Sequence, residues 1–232
     1  EDSGWVDGIP QSTWVFPQNK DEGFGDFVVG MKVFTFYNRS IGPYPYEKLA
    51  HVQTKTRWGG LENAGNIFYN EKSVTGRGEA EGLIAHEVAH QWFGDGVTES
   101  DWHHVWLSEG FATYFANLYL ESTYGPERLK EEMREQRQSV LAYYKENANP
   151  VVDTTIIEIG KVLSTNTYAK AGWVLHMLRR QVGDEAFWKG IRDYYDRFKN
   201  RNALTSDFRV AMERASQQDL TAFFNQWLYH GG

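Results

Sequence analysis

The chain has 232 residues, carries a net charge of −7 and contains no cysteine. This length suffices for one domain with a substantial core, or for two small domains at most. The acidic balance and the lack of a basic block disfavour nucleic-acid binding as the main task. The missing thiols exclude disulfides and thiolate metal sites, so that any metal must be bound by His, Asp or Glu.

Membrane and targeting signals are missing from the sequence as given. No apolar run approaches the roughly 20 residues that a membrane-spanning helix needs. The chain begins at Glu1 without Met and carries no signal-like segment, so we expect a processed chain or a piece of a longer protein. A chain without cysteine functions in any redox environment, which leaves both cytoplasmic and exported locations open for a soluble protein.

The predicted elements of the first third are short. Residues 1–22 are rich in Gly, Pro and polar side chains, which predicts an irregular lead-in. Apolar residues at helical offsets then predict a helix over 24–41. Two short strands are predicted at 49–56 and 67–69, separated by a glycine pair.

The remaining two thirds of the chain predict helices. A Gly-Pro pair at 125–126 ends one of them and begins the next, as these residues often do. An early sheet region followed by helices indicates an α+β domain rather than alternating βαβ units. The predicted helices span 79–93, 107–124, 126–147, 167–182, 184–199, 205–217 and 219–229.

The stretch HEVAHQWFGD places His86 and His90 four residues apart on a predicted helix. Residues at i and i+4 project from the same face, so both imidazoles can reach one ion. Glu87 lies roughly 100° farther round the helix, beside such an ion, where its carboxylate can take a proton from water. This is the H-E-x-x-H pattern of two zinc ligands and one general base. Two core histidines bonded to each other or to the backbone are the alternative.

A catalytic zinc site needs a third protein ligand and keeps its fourth position open for water. Glu109, in WLSEGFATY, is the candidate, and 18 residues separate it from His90. It lies in the first turn of a predicted helix among apolar neighbours, where a carboxylate costs free energy to bury unless a cation is bound. The sequence therefore predicts one zinc ion per chain.

Together these motifs resemble those of the aminopeptidase N and leukotriene hydrolase family of zinc metallopeptidases. GGLEN, residues 59–63, is similar to the family's exopeptidase motif, and TYAKAGWVLHML, residues 167–178, is similar to the segment that bears its catalytic tyrosine. The motifs follow the family's order, and the resemblance spans residues 14–230. It implies a thermolysin-like α+β catalytic domain, with a small N-terminal sheet region followed by a mostly helical part.

The resemblance also implies which residues perform the chemistry. His86, His90 and Glu109 would be the zinc ligands, and Glu87 would be the general base. Tyr168 would hydrogen-bond to the oxyanion, which suits a phenol because it keeps its proton at neutral pH. Without the zinc motif, Tyr168 would be interpreted as an amphipathic core tyrosine.

Substrate binding is implied for the GGLEN segment. Glu62 would bind the free α-amino group of the substrate through a charge-assisted hydrogen bond. Gly59 and Gly60 would offer backbone groups to the substrate main chain, because glycine permits close approach. Leu61 and Asn63 complete the segment. The alternative for Glu62 is a surface carboxylate in a turn.

The sequence departs from the family pattern at several positions. Leu61 replaces the usual Met, which conserves volume, and Ala171 replaces the usual Gly, so that one methyl group is expected to crowd a helix contact. His103 and His104 lie between the metal ligands in DWHHVW. We interpret them as partly exposed polar residues, with a role beside the metal or at an extra metal site as the alternatives.

The activity implied by the resemblance is that of a zinc aminopeptidase acting on peptides with a free N-terminus. The family usually places a β-rich domain before this unit and a helical domain after it. We therefore expect residues 1–232 to form a single peptidase domain cut from a longer protein, against which the missing flanking domains would pack. Open alternatives are an endopeptidase, an epoxide-opening enzyme, and a catalytically silent or scaffolding domain on the same fold.

Overall fold

The computed structural model describes residues 1–231, and the first third of the chain builds a mixed sheet. Its strands lie in the order β1-β2-β3-β5-β4. The inner pairs β2–β3 and β3–β5 are parallel, whereas the outer strands β1 and β4 run antiparallel to their neighbours. The strands are β1 (Asp2–Val6), β2 (Ile9–Trp14), β3 (Leu49–Thr54), β4 (Gly60–Leu61) and β5 (Asn66–Asn70).

Helices make up most of the remaining chain, with one small second sheet among them. That sheet pairs β6 (Val97–Glu99) with β7 (Arg201–Ala203) in parallel. The helices are α1 (Lys20–Phe27), α2 (Val29–Ser40), α3 (Glu81–His90), α4 (Trp106–Tyr124), α5 (Pro126–Tyr143), α6 (Ala171–Val182), α7 (Asp184–Phe198), α8 (Thr205–Ser216) and α9 (Thr221–Phe224). The predicted α+β class, with an early sheet region and a mostly helical remainder, is confirmed.

The irregular lead-in predicted for residues 1–22 is wrong, because this segment begins with the β1–β2 hairpin and ends in the first turn of α1. Asp7 and Gly8 form the hairpin turn with positive φ angles of 49° and 81°. An Asp-Gly pair favours this turn, since both central residues must adopt the left-handed conformation. The pair was the available signal, but the polar composition around it concealed the strands.

Smaller differences concern helix and strand boundaries. The single helix predicted over 24–41 is in fact two helices. Helix α1 begins at Lys20, and the helical structure is interrupted at Val28 before α2 begins. The last predicted helix, over 219–229, is the short α9 followed by a π-helical turn at Asn225–Tyr229. Gly60 does not only separate strands, since it begins β4 and pairs with Tyr69.

Helix α4 is the centre of the core. Nearly every residue from Trp106 to Leu120 is buried, which requires apolar side chains on all faces of the helix. Helix α3 packs directly against α4, and its residues from Ile84 to His90 are mostly buried as well. The two helices that carry the predicted metal ligands are therefore fixed against each other by the core. None of the helices within residues 1–231 combines the length and the hydropathy of a membrane span.

The loop that leads into α3 is attached to α1 by one buried carboxylate. Asp26 accepts hydrogen bonds from the backbone N–H groups of Thr75 (2.6 Å), Gly76 (2.8 Å) and Gly78 (2.8 Å). Burial opposes ionisation of Asp26, but these donors, together with the positive charge of Arg77, lower the pKa of its carboxyl below the usual value.

We expect the Asp26→Asn variant to lose on the order of 2 kcal/mol of unfolding free energy at neutral pH, because an amide cannot accept all three hydrogen bonds. The folded-state pKa of Asp26 lies below the unfolded value. The advantage of the wild type is therefore fully present above about pH 4 and declines as the pH falls through the folded pKa. Urea unfolding of both proteins across this pH range measures the difference.

Asp196→Asn is the matched control, since Asp196 is exposed on α7. This variant should stay within about 0.5 kcal/mol of the wild type. A stability difference between wild type and Asp26→Asn that does not change between pH 7 and pH 3 would contradict the role of the ionised carboxylate.

Candidate metal centre and active site

Two helices bring the three predicted metal ligands to one point. His86 and His90 lie one turn apart on α3, with their Nε2 atoms 3.0 Å from each other. Glu109, in the first turn of α4, places Oε2 at 3.2 Å from both of these nitrogens. Within the described part of the chain, these residues form the one cluster of three His, Asp or Glu side chains whose ligand atoms lie within 4.8 Å of one another.

The spacing and chemistry of this triangle fit a zinc ion. Ligand atoms about 2.0–2.2 Å from a tetrahedral zinc are separated by roughly 3.3 Å from each other, close to the distances in the triangle. Two imidazoles and one carboxylate are also a donor set found in catalytic zinc sites. His86, His90 and Glu109 would hold the ion and leave one tetrahedral position free.

The ring of His90 is oriented by its second nitrogen. Nδ1 lies 3.0 Å from Oγ of Ser108 and 3.2 Å from the carbonyl oxygen of Phe93. A proton on Nδ1 can be donated to these oxygen atoms. The other nitrogen, Nε2, then keeps a free lone pair that is directed at the triangle. Metal-binding histidines are commonly held by such a bond, which fixes the tautomer and the ring orientation.

The electrostatics of the triangle favour positive charge. Burial alone would raise the pKa of Glu109, but His90 and His86 hold it well below its usual range. Burial alone would lower the pKa of His90, but the neighbouring Glu109 carboxylate raises it above the usual value. The buried carboxylate therefore requires a cationic neighbour, and a divalent cation meets this requirement without protonating a histidine.

Glu87 lies on α3 between His86 and His90 and faces the edge strand β4. A side chain at Gly60 would overlap the Glu87 carboxylate, so this carboxylate occupies the space that the glycine leaves free. Burial, supported by the Glu62 and Glu109 carboxylates and opposed by His90, raises the pKa of Glu87 to about 8. The Glu87 carboxylate is thus next to the backbone of β4 and to the group formed by His86, His90 and Glu109, which we call the metal triangle.

Tyr168 also lies beside the metal triangle, although it comes from a later segment of the chain than α3 and α4. Its ring stacks on His86 with the ring centroids 6.0 Å apart and an interplanar angle of 11°. It belongs to a π-helical turn, Asn166–Lys170, that precedes α6. Burial and the nearby Glu109 carboxylate hold the pKa of Tyr168 well above its usual value, so the hydroxyl keeps its proton.

The contact between α4 and the segment that bears Tyr168 requires a glycine. A Cβ atom at Gly110 would overlap the side chain of Ala171 and lie 3.2 Å from the carbonyl oxygen of Thr167. The methyl group of Ala171 was expected to crowd a helix contact. Gly110 provides the space for it, and the close approach brings Tyr168 and Glu109 into one site.

The GGLEN segment forms the rim of the site at the edge of the main sheet. Gly60 and Leu61 form β4, the last strand in the sheet order, so the outer side of β4 has no strand partner in the described chain. Leu61 and Asn63 are exposed, and Gly59 is exposed too. Glu62 is half-buried and lies close enough to raise the pKa of Glu87. An extended peptide could pair with this free edge.

His103 and His104 do not join the metal triangle. His103 bonds through Nδ1 to Asp101 (2.6 Å) and lies with Nε2 at 3.0 Å from the carbonyl oxygen of Ile156. His104 bonds through Nδ1 to the hydroxyl of Thr205 at 2.7 Å. Both rings fix loops that flank α4, in agreement with the interpretation of partly exposed polar residues.

Sequence reasoning missed two residues next to the site, Ser108 and Gln91. Ser108 is buried against His90, and Gln91 follows His90 with its side chain fully buried. The only sequence signal was the polar character of each residue within an apolar run, Trp106-Leu107-Ser108 and Gln91-Trp92-Phe93. Their hydrogen-bond partners are set by the tertiary structure.

Comparison with known proteins agrees with these motifs. Residues 26–227 match the model of the peptidase family M1 domain. Aminopeptidase N of Lactococcus lactis subsp. lactis is 32% identical over 193 residues, which cover 75% of this chain and 22% of that protein. Glutamyl aminopeptidase of Sus scrofa is 29% identical over 237 residues, covering 95% of this chain and 25% of that protein. The chain spans about a quarter of the length of these relatives.

Solved structures show the same fold. The crystal structure of the M1 zinc metallopeptidase from Deinococcus radiodurans superposes with a TM-score of 0.77 at 24% identity, covering 98% of this chain and 50% of that one. A mutant of the M1 zinc metallopeptidase from the same organism, bound to a Tyr-Ser-Ala substrate, gives a TM-score of 0.76 at 22% identity, with coverages of 98% and 50%. At this identity the likeness establishes the fold.

We expect the Ser108→Ala variant to bind Zn²⁺ about tenfold more weakly than the wild type, because His90 loses one of the two partners that orient its ring. Competition titration with a chromophoric zinc chelator measures this affinity. Ser139→Ala is the matched control, since Ser139 is exposed on α5 and bonds only to the carbonyl of Glu135. Equal affinities for the wild type and Ser108→Ala would show that Ser108 does not orient the ligand.

Proposed function

The chain belongs to peptidase family M1, and from this premise we propose that it is the catalytic domain of a zinc aminopeptidase that releases N-terminal amino acids from peptides. The convergence of His86, His90 and Glu109 on one point carries the proposal, because their donor atoms lie 3.0–3.2 Å apart. The names of the aminopeptidase relatives support the same activity.

In this proposal the residues around the metal triangle divide the work of peptide hydrolysis. A zinc ion held by His86, His90 and Glu109 would supply Lewis acidity to the scissile carbonyl and to the attacking water. A cation in the site would lower the pKa of Glu87 from about 8, so that its ionised carboxylate accepts the proton of the attacking water and then delivers it to the leaving amine. The protonated hydroxyl of Tyr168 donates a hydrogen bond to the developing oxyanion, an interaction often worth about 3–4 kcal/mol.

The restriction to the first residue of a peptide comes from the GGLEN segment. Glu62 binds the positively charged α-amino group, and the free edge of β4 pairs with the extended substrate backbone. With the amino terminus held at Glu62, only the first peptide bond of the substrate would reach Glu87. Fixing the substrate at both points places the reacting groups in contact before reaction.

Flanking domains belong to the same proposal. The chain spans about a quarter of the length of its aminopeptidase relatives, and three of its tryptophans are more than half exposed. We infer that residues 1–232 form one peptidase domain and that further domains of the parent protein cover part of this surface. The exposed tryptophans are Trp5, Trp58 and Trp102, with 74%, 53% and 55% of their surface accessible.

Hydrolysis of amino-acid arylamides by the zinc-loaded protein tests the proposed activity. We expect cleavage of leucine arylamide, no cleavage of the N-acetylated compound, and loss of at least about a thousandfold in kcat for Glu87→Ala with zinc still bound. Glu185→Ala, an exposed acid in the first turn of α7, is the control. Near wild-type turnover by Glu87→Ala would contradict the assignment of the base, and absence of hydrolysis by the wild type would favour a silent or scaffolding domain.

Substitutions at Gly59 and at Gly60, the first residue of β4, distinguish the position of the base from the binding of the substrate backbone. Gly60→Ala should lower kcat by about a hundredfold, because the new methyl group displaces the Glu87 carboxylate. A Cβ atom at Gly59 would meet only the side chain of Leu83, at 3.5 Å, so Gly59→Ala should leave Glu87 in place. An unchanged kcat for Gly60→Ala, measured on the same arylamide, would show that Glu87 reacts from another position.

A further inference from the structure

A fully buried glutamine joins the metal-binding helix to the GGLEN segment. Gln91 follows His90 at the C-terminal end of α3, and its side chain has no exposed surface. We propose that Gln91 is a positioning residue for the amino terminus of the substrate, holding the backbone of the segment 62–65 so that Glu62 stays at a fixed place relative to His86 and His90. The proposal rests on the proposed aminopeptidase function.

The amide of Gln91 contacts both ends of this segment. Its Nε2 donates to the carbonyl oxygen of Glu62 at 2.7 Å and to Oδ2 of Asp95 at 2.8 Å. Its Oε1 accepts from the backbone N–H of Gly65 at 2.7 Å, and the hydroxyl of Tyr44 lies 3.2 Å away. Both N–H groups of the amide are thus used, and the oxygen has at least one partner.

The orientation of this amide is determined by its backbone partners. A carbonyl oxygen can only accept a hydrogen bond, and a backbone N–H can only donate one, so rotating the amide by 180° would break both contacts. The Asp95 carboxylate also requires a donor on the same side. Of the common side chains of this size, an amide alone provides a donor and an acceptor at these two places.

Two attachments fix Glu62 from opposite directions along the chain. On the N-terminal side, Leu61 pairs with Phe68 in the β4–β5 ladder. On the C-terminal side, the carbonyl of Glu62 itself is held by Gln91. The segment then closes in a turn, with the N–H of Asn66 donating to the carbonyl of Asn63 at 2.8 Å. Without Gln91 the Glu62 carbonyl would lose its bond to α3.

The position of Glu62 decides whether an ammonium group and the metal-binding groups can be engaged together. A misplacement of about 1 Å in such a constellation can cost about a hundredfold in rate. Gln91 does not contact the metal triangle in this structure, because its amide contacts are with Glu62, Gly65, Asp95 and Tyr44. A change at Gln91 should therefore affect the amine-binding end of the site and leave the metal end intact.

The binding of two hydroxamates that differ only in the α-amine measures the amine-binding end of the site separately from the metal end. Leucine hydroxamate and its counterpart without the amine share the metal-binding group and the side chain, so the ratio of their Kd values reports the amine site alone. We expect the wild type to prefer the amine-bearing compound and Gln91→Met to lose about tenfold of this preference. Zinc content and the Kd of the amine-free compound should remain within about twofold.

Two further variants keep the test independent of a folding defect. Gln91→Asn keeps a neutral amide but is one methylene group shorter, so it should not reach both Glu62 and Gly65. It adds no charge beside Asp95, so a lost preference in this variant reports misplacement and not charge. Gln11→Met is the matched control: Gln11 is buried, but its amide atoms have no hydrogen-bond partner within residues 1–231.

The outcomes distinguish this proposal from the proposed function. Loss of the amine preference in both Gln91 variants, with zinc binding retained and Gln11→Met unchanged, supports the positioning role. Equal weakening of both hydroxamates shows a general structural role and overturns it, as does an unchanged preference. A wild type that binds zinc and both hydroxamates equally well contradicts the aminopeptidase function itself, and the proposal for Gln91 fails with it.

Discussion

The whole site depends on a charge constraint created where α3 packs against α4. The buried contact between these helices places Glu109 beside His86 and His90. The carboxylates of Glu87 and Glu62 lie close enough to raise the pKa of His90. Burial raises the pKa of Glu87 to about 8 and that of Asp95 to about 7, because negative charge is costly where water is excluded. The arrangement calls for positive charge at two places, which a metal ion and a substrate ammonium group would supply.

The surrounding fold keeps these groups together by close backbone approaches. Gly60 leaves the space that the Glu87 carboxylate fills, and Gly110 allows the segment that bears Tyr168 to contact α4. Asp26 attaches the loop before α3, and Gln91, at the C-terminal end of α3, attaches the GGLEN segment. Groups from the sheet edge, two core helices and a π-helical turn therefore meet within one site, although they are far apart in the sequence.

The sequence was most informative where local geometry decides the outcome. The pair His86 and His90 was predictable because residues four apart share a helix face. Glu109 was predicted from its spacing and its apolar neighbours, whereas the role of Tyr168 came from the resemblance to a family. Both positions depend on packing between helices, and the structure places both residues next to His86. Gln91 could not be identified in this way, since its partners are 29 and 26 residues earlier in the chain. The β1–β2 hairpin was missed although its Asp-Gly turn is a local signal.

The most direct test of the account is the zinc content of the protein and of Glu109→Gln after dialysis against the same zinc buffer, measured by mass spectrometry. The account predicts about one zinc per chain in the wild type. Glu109→Gln should lose most of it, since a neutral amide keeps the shape of the triangle but removes the charge that a cation requires. A wild type without zinc, or a variant that retains zinc as tightly as the wild type, would contradict a metal centre at His86, His90 and Glu109.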